Sequence, residues 1–322
     1  MEYKYPHFIP ENVAPKGAKR IIVQDKAGKV VSKMPLGSLK PPSPANKLYS
    51  FGVLSDVHVT VDETARANFQ TALTYLHDVE NVDFICIAGD LTQSGSATQY
   101  QTYAGYVQEY AKGTPVYEVT GNHDVETFTG TTESVKPYTG EDLYYTFEVG
   151  NDLFVMFGMQ GWKTTGETFS DASITWLKTT LEANKNRRCF VFEHCPRWDG
   201  AGVPYPTPAV TGDILLSSSG YQFKQTMEKY HNVIWFHGHT HMDFMCQEEK
   251  SFSNYDRLHT CHSVHIPSLA SVKVLNSAGT GYDHLAKGQG YIVDVYQDCI
   301  HLRGRDFKNG EFVSIATYCL ET

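Results

Sequence analysis

Short apolar runs alternate with amphipathic segments from residue 48 onward, and this alternation predicts an α/β fold. The runs LYSFGVLSD, VDFICIAGD and PVYEVTGNHD have the length and apolar character of buried strands. Two segments with apolar side chains at helical spacing lie between them, TARANFQTALTYLHDV and ATQYQTYAGYVQEYA. A β-α-β-α-β order implies right-handed crossovers, which place the strands side by side and the helices on the faces of the sheet.

The later segments are shorter and have more strand character. YYTFEV and LFVMFGM predict two strands around the turn GND, RCFVFEH and NVIWFHGHTH predict two more, and GYIVDVYQD with CIHLRGRDF predicts a hairpin that closes the chain. SDASITWLKTTL and YQFKQTMEKY predict helices, and the Pro-, Gly- and Ser-rich residues 196–220 predict a long loop. The segments together predict a two-sheet α/β sandwich with helices outside.

Residues 1–47 differ from the rest of the chain. RIIVQ and KVVSKM flank DKAG and predict a short hairpin, and KPPSPAN predicts a Pro-rich link. We therefore predict a short N-terminal β arm, residues 1–47, and one large domain, residues 48–322. The arm carries no recognisable chemistry, and we expect it to pack on the body of the protein or on a partner, such as a second copy of the chain or a larger assembly.

Composition and charge narrow the classes of function. The 322 residues are 41% hydrophobic and 20% charged, which is typical of a globular protein with a substantial core. No apolar run approaches the roughly 20 residues that span a bilayer, and the first residues lack the apolar region of a secretory signal, so we expect a cytoplasmic protein without membrane contact. The net charge of −9 argues against nucleic acid as a partner. Seven cysteines without a C-x-x-C pair predict reduced core residues.

The candidate chemistry falls at the ends of five predicted strands, where open α/β sheets place their ligand sites. Residues i and i+2 of an extended backbone face the same way, so Asp56 and His58 are expected to reach one ion together, and His239 and His241 are expected to share a face. Each motif alone is typical of a turn, whereas five in order predict one metal site. The motifs are Ser55-Asp56-Val57-His58, Gly89-Asp90, Gly121-Asn122-His123-Asp124, His194-Cys195-Pro196 and Gly238-His239-Thr240-His241.

The series DVH, GD, GNHD, HCP and GHTH resembles the calcineurin-like metallophosphoesterases over roughly residues 50–305. The resemblance implies their four-layer sandwich and the hydrolysis of phosphoric esters. It also implies that His123 protonates the leaving group or binds phosphate and that Asp124 orients the His123 imidazole. Carried over residue by residue, it implies a first metal held by Asp56, His58 and His241, a second held by Asn122, His194 and His239, and Asp90 bridging both.

The expected ligands are imidazole and carboxylate without thiolate, which suits Mn, Fe or Zn better than Ca or Mg. Two such ions lower the pKa of a bridging water, so we expect hydroxide to attack phosphorus in line, without a phospho-enzyme. The expected substrate is a small phosphorylated molecule or nucleotide, with diesters favoured over monoesters. Two alternatives stay open: a non-catalytic metal-binding interaction module of the same fold, and a nuclease.

Other candidate residues receive a structural interpretation. Cys195 does not fit a cysteine-phosphatase loop, because position 201 is Ala where that loop needs arginine. His237 is expected to support the ligands from behind. In the long loop, Arg197, Trp198 and Tyr205 are either substrate contacts or anchors of the loop. The remaining histidines singled out as structural or surface residues are His77, His262, His265, His284 and His301.

Overall fold

A computed structural model shows two six-stranded sheets packed face to face, with helices on their outer faces. It describes residues 20–24, 30–35, 44–125, 132–163, 166–197, 200–203, 217–248, 252–257, 260–276 and 281–321. Within these residues no helix is both long and apolar enough to cross a membrane. All seven cysteines are free, as predicted, and all but one are buried.

The first sheet combines three parallel strands with an antiparallel extension. Its members are β3 (Tyr49–Leu54), β4 (Phe84–Ala88), β5 (Val116–Val119), β16 (Gln289–Val295), β17 (Cys299–Asp306) and β18 (Glu311–Glu321). Their spatial order is β18, β17, β16, β3, β4, β5, and the strands from β3 to β5 are parallel.

The second sheet has four parallel strands between two antiparallel edges. Its members are β6 (Tyr144–Val149), β7 (Asp152–Phe157), β10 (Cys189–Phe192), β11 (Val233–His237), β12 (Tyr255–Asp256) and β13 (His262–His265). Their order is β12, β13, β11, β10, β7, β6, with β7, β10, β11 and β13 parallel. Three separate antiparallel pairs complete the strands: β1 (Arg20–Gln24) with β2 (Val30–Pro35), β8 (Gly161–Lys163) with β9 (Gly166–Thr168), and β14 (Val272–Leu275) with β15 (Tyr282–Leu285).

Helices cover the outer faces and make the sandwich four layers deep, as the resemblance implies. Their bounds are α1 (Glu63–Asp78), α2 (Ala97–Tyr110), α3 (Asn122–Val125), α4 (Thr132–Thr139), α5 (Asp171–Ala183) and α6 (Ser218–Met227). Alternation along β3 shows how the layers form: Phe51 and Val53 enter the core between the sheets, whereas Leu54 joins the cluster beneath α1 and α2. A third cluster packs α5 and α6 on the second sheet.

One prediction about the C-terminus was wrong. The hairpin of β16 and β17 does not close the chain, because β18 follows and pairs with β17 along the sheet edge. Ala316, Tyr318 and Leu320 of β18 alternate into the core between the sheets. That alternation is present in the sequence FVSIATYCL, where an apolar side chain occupies every second position from Ala316 onward.

Candidate metal centre

The parallel strands of both sheets deliver the predicted motifs to one region. Asp56 and His58 follow β3, Asp90 follows β4, and Asn122 follows β5. From the second sheet, His194 follows β10, and His239 and His241 follow β11. Hydrogen bonds and close polar contacts among these seven side chains join the two sheets at this edge.

The backbone at these positions differs from the expectation. Asp56, His58, Asp90, His239 and His241 have positive φ angles of 52°, 42°, 52°, 71° and 61°. They are five of the seven non-glycine residues with this conformation in the described chain. Extended geometry therefore does not explain why the paired side chains converge. The left-handed backbone costs roughly 1–2 kcal/mol at each such residue, and strain of this kind is concentrated at functional sites.

Asp90 lies at the middle of the cluster. Its Oδ2 is 3.2 Å from His194 Nε2 and 3.5 Å from His58 Nε2. Its Oδ1 accepts a hydrogen bond from the backbone N–H of His123 at 2.9 Å, which fixes the carboxylate. One carboxylate therefore faces imidazoles on two sides.

The first half of the cluster contains Asp56, His58 and His241. His241 Nε2 is 3.0 Å from Asp56 Oδ1 and 3.3 Å from His58 Nε2. The Asp56 carboxylate also accepts a hydrogen bond from His239 N at 3.0 Å, so it is anchored by the last motif. One ligand atom each from Asp56, His58, Asp90 and His241 fit within 4.8 Å of one another.

The second half contains Asn122, His194 and His239. Asn122 Oδ1 lies 3.2 Å from His194 Nε2 and 2.9 Å from His239 Nδ1. His194 Nδ1 donates a hydrogen bond to the Ala88 carbonyl at 2.7 Å, which directs Nε2 into the cluster, an arrangement typical of metal-binding histidine. The buried thiol of Cys195 also lies within 4.8 Å of ring nitrogens of His194 and His239, a proximity that the sequence did not indicate.

The donor set fits divalent cations. His58 and His241 turn their Nε2 atoms toward each other, while the buried Nδ1 atoms have no hydrogen-bond partner in the described chain. Imidazole nitrogens and two carboxylates directed at one point require positive charge between them. Nitrogen and oxygen ligands of this kind suit first-row transition metals.

The electrostatics of the cluster follow from burial and from the mutual attraction of its members. Burial alone would raise the pKa of Asp56 and of Asp90, but the surrounding imidazoles outweigh it and hold both below the usual range. Burial likewise opposes a charge on His194, yet the two carboxylates raise its pKa to about 10. Burial lowers the pKa of His58 to about 4 and that of His239 to about 3. The negative carboxylates and the neutral imidazoles of His58 and His239 are in the forms that bind cations, whereas a cation at His194 would have to displace its proton.

His123 and Asp124 adopt different roles in the structure. His123 lines the cavity above the cluster, and its Nδ1 donates to the Gln93 carbonyl at 2.9 Å. The Asp124 carboxylate accepts hydrogen bonds from Gly121 N, Leu91 N and both donors of Thr92. Asp124 therefore holds two loops together, and its expected orientation of the His123 imidazole stays a prediction. Burial, reinforced by Asp90, raises the pKa of Asp124 to about 6.

Packing accounts for three of the residues set aside in the sequence. The His237 ring lies 2.9 Å from Ser263 Oγ, and the His265 ring lies 3.1 Å from Oγ1 of Thr240, the residue between His239 and His241. Arg197 is buried and lies 3.4 Å from Glu228, so it is a structural anchor of its loop. Trp198 and Tyr205 lie outside the described residues.

A cavity of about 600 Å³ opens over the cluster. Its floor includes His58, Asp90 and Asn122, and one wall is the hairpin of β14 and β15, which the sequence did not predict. Gln93 and the hairpin residues Lys273 and His284 are the lining residues that the motifs could not reveal, because they belong to no metal-ligand pattern. Trp162 lies beside the site, with its ring 5.7 Å from that of His239.

The chain is similar to known proteins in sequence and in fold. Residues 49–243 match the family model described as calcineurin-like phosphoesterase. Over 163 residues the chain is 24% identical to a probable cyclic nucleotide phosphodiesterase of Colwellia psychrerythraea, covering 48% of this chain and 60% of that relative. The chain thus spans about three fifths of the length of that curated relative.

The fold is shared with the structure of GAP50, the anchor in the inner membrane complex of Plasmodium. The TM-score is 0.55 at 13% identity, covering 85% of this chain and 88% of that one. The family model covers more than half of the chain and includes all five strand-end motifs. The chain therefore belongs to the calcineurin-like phosphoesterase family.

Proposed function

We propose that the protein is a phosphoesterase with two metal ions, which hydrolyses phosphodiesters in preference to phosphomonoesters. The first ion would be held by Asp56, His58 and His241, and the second by the set of Asn122, His194 and His239, with Asp90 shared. The observation that carries the proposal is the position of Asp90, whose Oδ2 lies within 3.5 Å of imidazoles from both sets.

The reaction places separate demands on the metals and on the chain. Bound Mn, Fe or Zn would neutralise phosphate oxygens and lower the pKa of a water molecule. The protein itself orients His123. The backbone N–H of His123 donates to Asp90 Oδ1, and the ring Nδ1 donates to the Gln93 carbonyl. With Nδ1 engaged, we assign to His123 Nε2 the proton that the departing oxygen receives.

The wider features of the proposal follow from the same site. Asp124 supports the reaction by fixing the loops after β4 and β5, through its hydrogen bonds to Leu91 and Gly121. The probable activity named for the Colwellia relative supports the preference for diesters. Residues 1–47 would form a separate arm that contacts the body or a partner.

The test combines metal content with turnover. Protein loaded in turn with Mn²⁺, Fe²⁺ and Zn²⁺ is assayed on bis-p-nitrophenyl phosphate and p-nitrophenyl phosphate, beside Asp90→Asn, His123→Asn and the exposed control His231→Asn. We expect two ions per chain and faster diester turnover. Asp90→Asn should lose metal and about 10³-fold or more of kcat/KM, because several kcal/mol of charge stabilisation disappear.

His123→Asn separates proton transfer from metal binding. It should keep both ions and lose about 10²–10⁴-fold of kcat. His231→Asn should resemble the unaltered protein in both measurements. A chain that holds two ions but hydrolyses no ester would instead be an interaction module, and cleavage of DNA on a gel would indicate a nuclease.

A further inference from the structure

The loop of residues 91–95, between β4 and α2, holds the ring of His123. The Gln93 carbonyl accepts a hydrogen bond from His123 Nδ1 at 2.9 Å, and the Gln93 side-chain amide lies 3.4 Å from the same ring nitrogen. Both residues line the metal cavity. A backbone carbonyl fixes an imidazole only when the loop that carries the carbonyl is itself fixed. The position of the ring therefore depends on what holds this loop.

Gln99, in the first turn of α2, binds the part of the loop that carries this carbonyl. Its Oε1 accepts hydrogen bonds from the backbone N–H of Gln93 at 3.1 Å and from that of Ser94 at 2.7 Å. Ser96 Oγ caps the helix by accepting from Gln99 N, so the segment S-A-T-Q has the sequence of a capping box. The glutamine of a capping box accepts from the N-cap residue, whereas Gln99 accepts from residues two and three positions before that cap.

Other side chains fix the two ends of the same loop. The Asp124 carboxylate accepts from the backbone N–H groups of Leu91 and Thr92, and Thr92 Oγ1 accepts from Gly95 N at 2.9 Å. With the two bonds to Gln99, all five backbone N–H groups of the loop donate to side chains. The shape of the loop is therefore set by side chains, and Gln99 sets its central part.

We propose that Gln99 is a positioning residue for His123 and that it acts through the Gln93 carbonyl. This inference rests on the proposed function, in which His123 gives a proton to the departing oxygen. Within the described chain, the lining of the cavity includes Gln93 and His123 but not Gln99, so Gln99 acts on the ring and not on the substrate. Without the oxygen of Gln99 the two central N–H groups turn to water, the Gln93 carbonyl loses its direction, and the imidazole is no longer fixed.

A double-mutant cycle on the turnover of bis-p-nitrophenyl phosphate tests the proposal. Gln99→Met keeps the length of the side chain and removes its oxygen. It should lower kcat about tenfold, a part of the contribution of a positioned acid, while KM and metal content stay nearly unchanged. In the His123→Asn background the same substitution should have no further effect, because Gln99 acts only through the ring. Gln99→Glu, which keeps an oxygen at this position, should recover most of the rate.

A second measurement reports on the ring without turnover. In the Zn²⁺-loaded protein the hydrogen-bonded Nδ1 proton of His123 should give an NMR signal that is absent from His123→Asn and that Gln99→Met loses to exchange with water. Gln101→Met, at an exposed glutamine of the same helix, should keep both the signal and the rate. Gln99→Asn, which is too short to reach the loop, serves if Gln99→Met folds poorly.

Three results would overturn the inference. They are a His123 signal that survives in Gln99→Met, the absence of this signal from the unaltered protein, and equal losses of kcat from Gln99→Met with and without the His123 ring.

The two proposals fail in different ways. Ester turnover with additive effects of Gln99→Met and His123→Asn leaves the phosphoesterase intact and removes the role of Gln99. Loss of the His123 signal in Gln99→Met, in a protein that hydrolyses no ester, keeps the link between the two side chains and removes the activity.

Discussion

The left-handed backbone at His241 can be tested by comparing glycine and alanine at that position. Both substitutions remove the imidazole, so the loss of its contacts and the space it leaves are common to the two variants. Only the backbone term and one methyl group differ. His241 has a φ of 61°, a conformation that glycine adopts without strain and alanine does not.

The magnitude follows from a second histidine in ordinary geometry. His77 lies in the last turn of α1, where glycine is expected to be less stable than alanine by up to about 1 kcal/mol. At His241 the strain of roughly 1–2 kcal/mol acts in the opposite direction. The glycine-minus-alanine difference in the free energy of unfolding should therefore be about 1–3 kcal/mol more favourable at residue 241 than at residue 77.

Chemical denaturation of the four variants after treatment with EDTA measures this double difference. Removal of metal matters because both variants at residue 241 lose a proposed ligand, and residual binding would add an unrelated term. Equal glycine-minus-alanine differences at the two positions would refute the claim that the site stores backbone strain.

Three further changes have defined outcomes. Burial raises the pKa of Glu118 well above its usual 4.5, so the folded protein resists ionisation of this carboxyl and loses stability as the pH rises above 4.5. In urea unfolding, the stability gained by Glu118→Gln over the unaltered protein should therefore grow from about pH 4.5 to about pH 8. Parallel pH profiles for the two proteins would contradict this. A Cβ at Gly238 would collide with the Asp56 carboxylate, so Gly238→Ala should contain less bound metal by elemental analysis. Metal content equal to that of the unaltered protein would contradict the assignment of Asp56 as a ligand. A Cβ at Gly105 in α2 would have no other atom within 4 Å. Gly105→Ala should therefore keep the metal and gain about 1 kcal/mol of stability in thermal unfolding. A loss of stability would show that the added methyl group is not accommodated.

The sequence predicted those parts of the fold that depend on local patterns. The runs that became β3, β4 and β10 are continuous apolar segments buried on both faces, and the spacing of Phe69, Leu73 and Leu76 identifies α1. The last strand escaped prediction because polar residues interrupt its apolar positions and its pairing with β17 depends on the edge of the sheet.

The candidate site divides in the same way. Residue types at strand ends indicated which side chains would gather, since parallel strands present their carboxyl ends at one edge. Spacing did not reveal how they gather, because all four residues of the two i and i+2 pairs have positive φ angles and not the extended geometry that was inferred. The partners of Asp124 and Lys273 could not be predicted from spacing either, because they are remote in sequence. Asp124 bonds to the loop after β4, and the backbone of Lys273 bonds to the segment after β11.

The two sheets contribute separate portions of the proposed ligand set, and this division has a consequence for assembly. Asp56, Asp90 and Asn122 come from the first sheet, and His194 and His239 from the second. Bound ions would thus link the two sheets and oppose any movement that slides one sheet over the other. A fragment containing residues 48–125 alone would keep only His58 and Asn122 beside its two carboxylates, so ion binding and the docking of the two sheets should occur in one cooperative event.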